Sequence, residues 1–495
     1  MNRVEPAGSR ARPASAAPAV EDSAYAPPGA TAFDLVVIGG GSAGFAAAIR
    51  GAEQGARVAL VEGRTLGGTC VNVGCVPSKT LIRAAEALHR RAHHGFAGVP
   101  ATDGAPSWRA IRVQKDELVD QLRNARYRDV LRSYDTVTLV EGRARLLTGR
   151  VVRIDDGRVL SAPKLVIATG SSPWAPPIPG LAGIGYLDNA SAMALERLPA
   201  SMVVIGGSAV GLELAQMFAR LGVRVTVVEA LPRVLAAEDA PISDALEHYL
   251  EDEGIEIHTR AMVRRIARST GYTVEFDVGG GPKTVSAEQL LVATGRRANT
   301  RGVGVDRAGV SLGSKREIRV DTYLCTSNPD VYAAGDVIGD PMFVYVAAYA
   351  GSLAADNALN GNTRSYDLSA LPRVTFTDPA VAAVGLTEEQ AAAAGQRPIT
   401  AVLPLDSVPR ALAAHDARGF IRLVADASSR RLIGAHILAA EAGEMITEAT
   451  LAIRFGLTID DLASSFHPYL TLSESLKLAA QAFDKDVAKL SCCAA

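Results

Sequence analysis

The residues of this chain best suited to redox chemistry are Cys70 and Cys75, which are separated by four residues in the stretch GGTCVNVGCVPSKTLIRAAE. The stretch runs into a predicted helix, and thiols at a helix start meet the positive end of the helix dipole, which lowers their pKa and favours thiolate exchange. The glycines around the pair, among them Gly68 next to Thr69, permit close approach to a planar cofactor. We therefore predict a redox-active thiol pair, with two buried structural cysteines as the alternative.

A second pair of thiols, Cys492 and Cys493, stands in the closing sequence DKDVAKLSCCAA. Chain ends are usually tolerant of change, so packing is a weak reason for two adjacent thiols there. The pair calls for a chemical explanation. The fifth cysteine, Cys325, has no thiol near it in the sequence and is predicted to be a small buried residue.

A dinucleotide-binding unit begins near residue 33, where FDLVVIGGGSAGFAAAIRGAEQGARVALVE reads as a buried strand, a glycine turn, a helix and a second strand. Gly39 permits the tight turn, Gly41 lets the backbone approach a pyrophosphate, and Gly44 lets helix and strand pack closely. Glu62 follows Gly39 by 23 residues and is placed to accept hydrogen bonds from ribose hydroxyls. Together these features predict a nucleotide site.

The same unit recurs in SMVVIGGSAVGLELAQMFARLGVRVTVVE, with Gly206, Gly211 and Glu229 at matching positions and the same 23-residue spacing from Gly206 to Glu229. Ser208 is a departure, since it adds a side chain where the pyrophosphate should approach. Two nucleotide units in one chain suggest a flavin facing a nicotinamide, the arrangement that hydride transfer requires.

The acid of the second unit also bears on which nicotinamide binds. A carboxylate at Glu229 accepts from a free ribose 2′-OH and repels a 2′-phosphate, which favours NADH. Arg224 and Arg233 flank the predicted site and are able to serve a phosphate. NADPH and NADH therefore both remain open.

Two further glycine runs bracket the second unit and suggest that it is inserted into the first domain: LVIATGSSP around Gly170 and LLVATGRRANT around Gly295. Asp336, in NPDVYAAGDV, is an acceptor for a flavin ribityl hydroxyl or, alternatively, a helix cap. The prediction is an α/β chain with two Rossmann-like domains, for FAD and NAD(P), and a C-terminal α+β dimerisation domain. The expected divisions are a disordered leader at 1–32, an FAD-binding domain at 33–175 and 297–370, an NAD(P)H-binding domain at 176–296 and a dimerisation domain at 371–495.

Composition narrows the function classes. The 495 residues carry a formal net charge of -2, so electrostatics favours neither nucleic acid nor an anionic membrane surface as a partner. The apolar runs are too short to cross a bilayer and no signal peptide is apparent. The near-zero charge therefore predicts small ligands, and the missing signal and membrane segments predict a cytoplasmic protein. Five cysteines are too few for a disulfide framework, and thiols in a reducing compartment more often bind metal or do redox work.

From about Phe33 to its end the sequence resembles the flavin-dependent pyridine nucleotide-disulfide oxidoreductases, the group of glutathione reductase and dihydrolipoamide dehydrogenase. The cysteine stretch is the most specific part of the likeness. The resemblance implies that Cys75 lies against the flavin and that Cys70 is the interchange thiol. It also implies that Lys79 approaches the reactive edge of the flavin and pairs with Glu213.

The closing segment, SSFHPYLTLSESLKLAAQAFDKDVAKLSCCAA, departs from the disulfide-reducing members of that family. Their histidine, which acts as an acid or base from the partner subunit, stands five residues before a glutamate. If Glu474 is that glutamate, then Tyr469 occupies the histidine position and His467 lies two residues too early. A phenol with a pKa near 10 is a poor proton relay at neutral pH, which argues against an organic disulfide as the substrate.

The tyrosine and the terminal thiols together resemble the mercuric reductase branch of the family, whose members end in a similar Ser-Cys-Cys. That resemblance implies a homodimer that reduces Hg(II) to elemental mercury with electrons from NAD(P)H through FAD. Hg(II) is soft and prefers thiolates, so Cys492 and Cys493 of one subunit would capture it and deliver it to the Cys70 and Cys75 pair of the partner. Tyr186 and Tyr469 resemble two tyrosines that the family places beside the metal; packing is the alternative role for either.

Two other functions stay open at this point. One is a dihydrolipoamide dehydrogenase-like disulfide reductase with an unusual tail, which Tyr469 argues against. The other is a protein that sequesters mercury without reducing it, which the two intact nucleotide units and the Cys70/Cys75 pair argue against.

Overall fold

The computed structural model describes residues 29–102 and 104–489, and its elements are numbered in chain order. Most strands are short, and they are β1 (Thr31–Ala32), β2 (Leu35–Ile38), β3 (Val58–Glu62), β4 (Val137–Glu141), β5 (Ala144–Leu146), β6 (Val151–Ile154), β7 (Val159–Ser161), β8 (Lys164–Ile167), β9 (Ser171–Pro173), β10 (Ser201–Ile205), β11 (Arg224–Val228), β12 (Glu256–His258), β13 (Met262–Arg268), β14 (Tyr272–Val278), β15 (Gly281–Ala287), β16 (Gln289–Val292), β17 (Arg296–Ala298), β18 (Val331–Ala333), β19 (Arg373–Thr375), β20 (Ala380–Gly385), β21 (Pro398–Pro404), β22 (Phe420–Asp426) and β23 (Leu432–Ala439).

The α-helices are α1 (Ser42–Glu53), α2 (Gly68–Val73), α3 (Cys75–Ala92), α4 (Trp108–Arg123), α5 (Asp129–Arg132), α6 (Asn189–Met193), α7 (Ala209–Arg220), α8 (Ala240–Asp252), α9 (Val344–Asn360), α10 (Glu388–Ala393), α11 (Pro409–Ala413), α12 (Ala442–Phe455), α13 (Ile459–Ser464) and α14 (Glu474–Gln481). A π-helical turn at Asn124–Arg128 joins α4 to α5, and short 3-10 helices occur at Gly335–Ile338, Leu405–Ser407 and Val487–Lys489. Among the described residues, no helix has both the length and the apolar character that a bilayer crossing needs.

The first nucleotide unit is β2, α1 and β3 in a five-stranded parallel sheet of order β18-β8-β2-β3-β4. The strand β2 reads LVVI and is buried along its whole length, because α1 and α9 cover one face of the sheet and the strands β5, β6 and β7 cover the other. On one face α1 packs against α9 so closely that a Cβ on Gly351 would stand 1.9 Å from the carbonyl oxygen of Ala43. This approach fixes the helix that follows the first glycine turn.

The second unit, β10, α7 and β11, lies in a four-stranded parallel sheet of order β12-β11-β10-β16. Ser208 precedes α7 with φ -97° and ψ -176°, which is close to the φ of -77° and ψ of -174° of Gly41 before α1. Both conformations are extended and open to any residue. The serine therefore stands at the second glycine position without backbone strain.

The chain leaves the first sheet after β8 and returns to it with β18, so the second sheet is formed by an intervening part of the sequence. The segment that leaves the first sheet and the segment that returns to it form the strands β9 and β17, which pair with each other in antiparallel orientation. This is the connectivity that the glycine runs at Gly170 and Gly295 suggested. The domain boundaries given above stay predictions.

The remaining sheets are antiparallel or mixed. A three-stranded sheet, β13-β14-β15, packs beside the second unit, and a four-stranded sheet, β1-β7-β6-β5, beside the first. The C-terminal part holds a five-stranded antiparallel sheet, β19-β20-β23-β22-β21, with α12 and α14 packed against it. Because strands and helices are segregated in this part, it has the α+β character that was predicted.

Regular secondary structure begins before the expected end of the disordered leader. Thr31 and Ala32, the last residues of the expected leader, pair in parallel with Leu160 and Ser161. Their backbone groups continue a sheet whose other strands are buried, which gives these two residues hydrogen-bond partners. The rest of the leader, residues 1–28, lies outside the described residues.

A buried ionic network joins the second nucleotide unit to the C-terminal part. Arg220, at the end of α7 and with its side chain 4% exposed, lies 2.6 Å from a carboxylate oxygen of Glu253 and 2.9 Å from one of Asp378. Arg418 also lies 2.9 Å from Asp378. Each charge is compensated at short range, so the network stabilises one relative position of these elements.

Replacement of Arg220 by Ala should lower the free energy of unfolding by about 3–5 kcal/mol, because Glu253 and Asp378 would keep buried charges with fewer partners. The measurement is urea unfolding of the variant and of Arg132→Ala, whose exposed partner is Asp129. Equal stability losses in the two variants would contradict a structural role for the network.

Candidate active site

The thiol stretch is held against the first glycine turn by a contact between two glycines. Gly68 has a φ of +60°, and a Cβ at this position would stand 2.6 Å from the Cα of Gly41. Only glycine satisfies both constraints. The contact places α2, which carries Cys70, beside the turn that precedes α1.

Cys75 is the first residue of α3, and both thiols of the pair are free in the structure. The Cys70 thiol donates a hydrogen bond that lowers the pKa of Cys75 to about 7; burial opposes this effect and the nearby Lys79 ammonium adds to it. The same hydrogen bond, together with burial, raises the pKa of Cys70. The sequence-based expectation of a lowered pKa is thus confirmed for Cys75 and wrong for Cys70, because the two thiols share one proton.

The expected pairing of Lys79 with Glu213 is present, with Lys79 Nζ 2.6 Å from Glu213 Oε2. The other oxygen of Glu213 accepts the backbone N–H of Phe376 at 2.9 Å, and the Lys79 ammonium lies 4.5 Å from the centroid of the Phe376 ring. The ammonium is thus held between a carboxylate and an aromatic face. Sequence reasoning missed Phe376, since nothing near it in the sequence points to this site.

Both thiols, Lys79 and Glu213 line a cavity of about 220 Å³. Eight of the residues predicted for catalysis or cofactor binding line it: Gly41, Thr69, Cys70, Cys75, Lys79, Gly170, Glu213 and Asp336. The structure therefore brings together residues from positions 41 to 336 around one space beside the thiol pair.

The carboxylate of Asp336 faces this cavity from a 3-10 helix. Its Oδ2 accepts the hydroxyl of Ser171 at 2.6 Å, and Arg296 Nε donates to the same hydroxyl oxygen at 2.7 Å. The cap of that short helix is Ala334, so the alternative role of Asp336 as a helix cap is wrong. Ser171 and Arg296 were missed, although each directly follows one of the two singled-out glycines, Gly170 and Gly295.

The acids that close the two nucleotide units have matching environments. Glu62 accepts the backbone N–H groups of Gly40 and Arg64, each at 2.6 Å. Glu229 accepts those of Gly207 at 2.5 Å and Leu231 at 2.7 Å. The predicted sequence repeat is therefore also a repeat of hydrogen bonds.

The first unit fits a dinucleotide. Gly39 has a φ of +112°, and a Cβ there would stand 2.3 Å from the carbonyl oxygen of Ala168. A Cβ on Gly44 would stand 1.7 Å from Gly39 O, so both positions require glycine. A cavity of about 910 Å³ runs from Glu62 past Gly68 and Thr69. This is the cradle that the expected FAD needs.

The second glycine turn repeats these constraints. Gly206 has a φ of +111° and Gly295 one of +115°. A Cβ on Gly211 would stand 1.9 Å from Gly206 O. The turn therefore also fits a dinucleotide, with Glu229 at its edge.

The two tyrosines and Glu474 do not line the cavity at the thiols of their own chain. Tyr186 is exposed before α6, and Tyr469 is exposed in the segment between α13 and α14. Glu474 is buried and accepts the backbone N–H of Leu470, which has a φ of +60°. Glu474 thus holds the turn that presents Tyr469.

His467 is engaged elsewhere. Its Nε2 lies 2.7 Å from a carboxylate oxygen of Glu448, its Nδ1 lies 3.2 Å from the carbonyl of Ser465, and its side chain is 6% exposed. This histidine is therefore committed to a local ion pair or hydrogen bond.

The other predicted thiol sites stand as follows. Cys492 and Cys493 lie outside the described residues. Cys325 is buried, with Sγ 3.9 Å from the carbonyl oxygen of Asn328, as a small structural residue would be. Within residues 29–102 and 104–489, no group of three or more His, Cys, Asp and Glu side chains is gathered as a metal site.

Comparison with known proteins gives consistent results. Residues 33–351 match the family described as pyridine nucleotide-disulphide oxidoreductase, and residues 371–480 match the dimerisation domain of that family. A mercuric reductase of Streptomyces lividans is 48% identical over 94% of this chain and 99% of its own length. One of Staphylococcus aureus is 45% identical over 93% of this chain and 84% of its own length.

Solved structures extend the likeness to the fold. A Cu(II) complex of the HOCl-induced flavoprotein disulfide reductase RclA from Escherichia coli aligns with a TM-score of 0.82 and 30% identity. The alignment covers 91% of this chain and 99% of that one.

The pKa of Cys75 predicts how its reactivity depends on pH. The rate of Cys75 alkylation by iodoacetamide in the reduced protein should rise with pH around a midpoint near 7, because the thiolate forms as the pH passes the pKa. Lys79→Gln should move the midpoint to higher pH, since the ammonium favours the thiolate. Peptide mass spectrometry measures the rate at this cysteine.

The matched control is Lys283→Gln, which removes an exposed ammonium from β15. It should leave the midpoint unchanged. A midpoint that stays near 7 in Lys79→Gln would contradict the assigned electrostatic role of Lys79.

Proposed function

The chain belongs to the pyridine nucleotide-disulphide oxidoreductase family, and we propose that it is a mercury(II) reductase, an oxidoreductase that uses NAD(P)H and FAD to convert thiolate-bound Hg(II) to elemental mercury. The relatives that are named mercuric reductase support this proposal over nearly the whole chain. Other family members reduce disulfides, so the choice of substrate needs an observation at the site itself.

That observation concerns Tyr469 and His467, which lie in the segment between α13 and α14. If Glu474 is the family glutamate, Tyr469 stands where disulfide-reducing members carry their histidine. Both ring nitrogens of His467 are engaged, Nε2 by Glu448 and Nδ1 by the carbonyl oxygen of Ser465. A proton relay for a leaving organic thiol is therefore missing among the described residues of this segment. Hg(II) needs none, because it moves between sulfur ligands by exchange.

The chain supplies two sulfur ligands and their charge balance. Cys75 is poised as a thiolate near pH 7, and Cys70 loses its proton when it binds the metal ion, because the thiolate is the ligand. Lys79 offsets negative charge beside the two thiolates. Bound flavin and nicotinamide would supply the two electrons that reduce Hg(II) to Hg(0).

We assign the cofactors to the two glycine turns. FAD would be held by residues around the first turn and the cavity beside the thiols, namely Gly39, Gly41, Gly44, Glu62, Gly68, Thr69, Lys79, Gly170 and Asp336. The nicotinamide dinucleotide would be held by Gly206, Gly211, Glu229 and Gly295. Both assignments rest on the glycine contacts and acid positions described above.

The active unit in this proposal is a homodimer. The dimerisation-domain match covers residues 371–480. Large apolar side chains are exposed in its later part, among them Phe455 at 70% and Phe466 at 102% of their full accessibility. A subunit interface formed by this part of the chain would cover these side chains. Tyr186 and Tyr469 would then meet at the thiols across the dimer, with Glu474 holding the turn of Tyr469.

Delivery of the metal ion is assigned to the terminal thiols on the basis of the sequence alone. Cys492 and Cys493 would bind Hg(II) and pass it to Cys70 and Cys75 of the partner. We also propose that the protein works in the cytoplasm, where thiols remain reduced and reduced nicotinamide is available.

Purified protein with FAD, reduced nicotinamide and excess small thiol should oxidise the nicotinamide only when Hg(II) is added. Volatile mercury should appear at one atom per nicotinamide oxidised, since each transfers two electrons. Oxidation with lipoamide or another organic disulfide, and none with Hg(II), would identify a disulfide reductase instead. Binding of Hg(II) without any turnover would identify a sequestering protein.

The double substitution of Cys492 and Cys493 by Ala should reduce turnover of thiol-complexed Hg(II) to background, while nicotinamide binding stays unchanged. Cys325→Ala is the matched control and should keep full turnover, because Cys325 is buried away from the site. Unchanged turnover in the double variant would remove the delivery role of the terminal thiols.

A further inference from the structure

We propose that this protein takes its electrons from NADH rather than NADPH, and that Glu229 determines the preference. The inference rests on the proposed function only in taking the second glycine turn as the nicotinamide dinucleotide site. It concerns the ribose 2′ position, which distinguishes the two cofactors and lies far from the nicotinamide ring.

The Glu229 carboxylate is fixed in place. Its two oxygens accept the N–H groups of Gly207 and Leu231, at 2.5 and 2.7 Å, and the residue is 9% exposed. A Cβ on Gly207 would stand 3.0 Å from the Cβ of Glu229, so the turn also packs against the acid. The carboxylate therefore cannot swing away to admit another anion without losing both hydrogen bonds.

The chain contains its own reference for this geometry. Glu62 holds the same position in the first unit, with two backbone N–H donors at 2.6 Å, in the site assigned to FAD. The adenosine of FAD carries a free 2′-OH, which a carboxylate can accept from. Because Glu229 reproduces the environment of Glu62, the second unit also suits an adenosine without a 2′-phosphate.

Arginines near Glu229 in the sequence could bind a 2′-phosphate, but Arg224 is too far from the site to do so. Arg224 begins β11 and Glu229 follows the end of that strand, so five residues at about 3.3 Å each put them roughly 16 Å apart along the strand. The earlier interpretation of Arg224 as a flanking phosphate ligand is therefore wrong. It lies at the opposite end of the strand from the site.

Two arginines remain near the acid. Arg233 is half-buried, and its Nε finds no hydrogen-bond partner among the described residues. Arg260 is exposed, and its backbone N–H donates to Leu231. Neither guanidinium pairs with Glu229 in the hydrogen bonds and ion pairs found between described residues, so the charge of Glu229 is not cancelled by a salt bridge. The first two side chains after Glu229 are those of Ala230 and Leu231, which offer no cation.

A 2′-phosphate carries a charge of about -1.5 to -2 at neutral pH. Placed beside a fixed carboxylate, it meets like-charge repulsion that a 2′-OH does not meet. We expect NAD⁺ to bind at least about tenfold more tightly than NADP⁺ at low ionic strength. Added salt should narrow the ratio by strengthening NADP⁺ binding, because it screens the repulsion.

The test is calorimetric titration of the FAD-loaded protein with NAD⁺ and NADP⁺ at two salt concentrations, without mercury. Glu229→Ala should reduce the ratio of affinities by about tenfold or more. The matched control is Glu275→Gln, which removes an exposed charge from β14 and should leave the ratio unchanged. Arg233→Ala should also leave the ratio of affinities unchanged, so that NAD⁺ still binds more tightly than NADP⁺.

Wild-type protein that binds NADP⁺ as tightly as NAD⁺, or more tightly, would overturn the inference, whether or not Glu229→Ala folds. A folded Glu229→Ala variant that keeps the wild-type preference for NAD⁺ would also overturn the inference. Steady-state mercury reduction with each reduced cofactor separates this inference from the proposed function. Selective binding of NAD⁺ without mercury reduction would contradict the proposed function and leave the inference intact. Faster mercury reduction with NADPH than with NADH would contradict the inference and leave the proposed function intact.

Discussion

The arrangement of the active site depends on the ion pair and the hydrogen bond made by the buried carboxylate of Glu213. It pairs with Lys79 on the helix that begins at Cys75, and it accepts the backbone N–H of Phe376 from the C-terminal part. Glu213 itself stands on α7, the helix of the second nucleotide unit. Three separate parts of the chain thus converge on two oxygen atoms. A carboxylate buried in this way is stable only while both partners remain in place, so the ion pair and the packing around it require each other.

The thiol pair depends on close backbone contacts as much as on charge. Gly68 against Gly41 brings the cysteine stretch to the first nucleotide turn, and the small residues between α1 and α9 hold that turn in position. A methyl group added at Gly68 would stand 2.6 Å from the Cα of Gly41, and one added at Gly351 would stand 1.9 Å from the carbonyl oxygen of Ala43, and these backbone atoms cannot move aside. The reactive sulfur atoms are therefore placed by the absence of side chains around them.

The two thiols are chemically unequal, and this inequality links the structure to its proposed substrate. One shared proton makes Cys75 the thiolate and Cys70 the thiol, with Lys79 beside them. A soft metal ion displaces that proton and satisfies both sulfur atoms at once, whereas an organic disulfide also requires protonation of its leaving thiol. With both ring nitrogens of His467 engaged, by Glu448 and by the carbonyl oxygen of Ser465, the described part of the closing segment favours the first kind of chemistry.

The sequence by itself determined the two strand–turn–helix units, the closely spaced thiol pair and the α/β class, because each depends on residue types at short, fixed spacings. A buried strand, a glycine turn and an acid 23 residues after the first glycine are local patterns, and local backbone geometry follows from them. The pairing of Lys79 with Glu213 came from family resemblance, since no local pattern joins positions so far apart. Only the tertiary structure showed that Phe376 completes the site and that Cys70 has a raised pKa. Phe376 reaches the site through the packing of distant segments, and the pKa of Cys70 depends on burial and on the hydrogen bond with Cys75, which residue types and spacing do not specify.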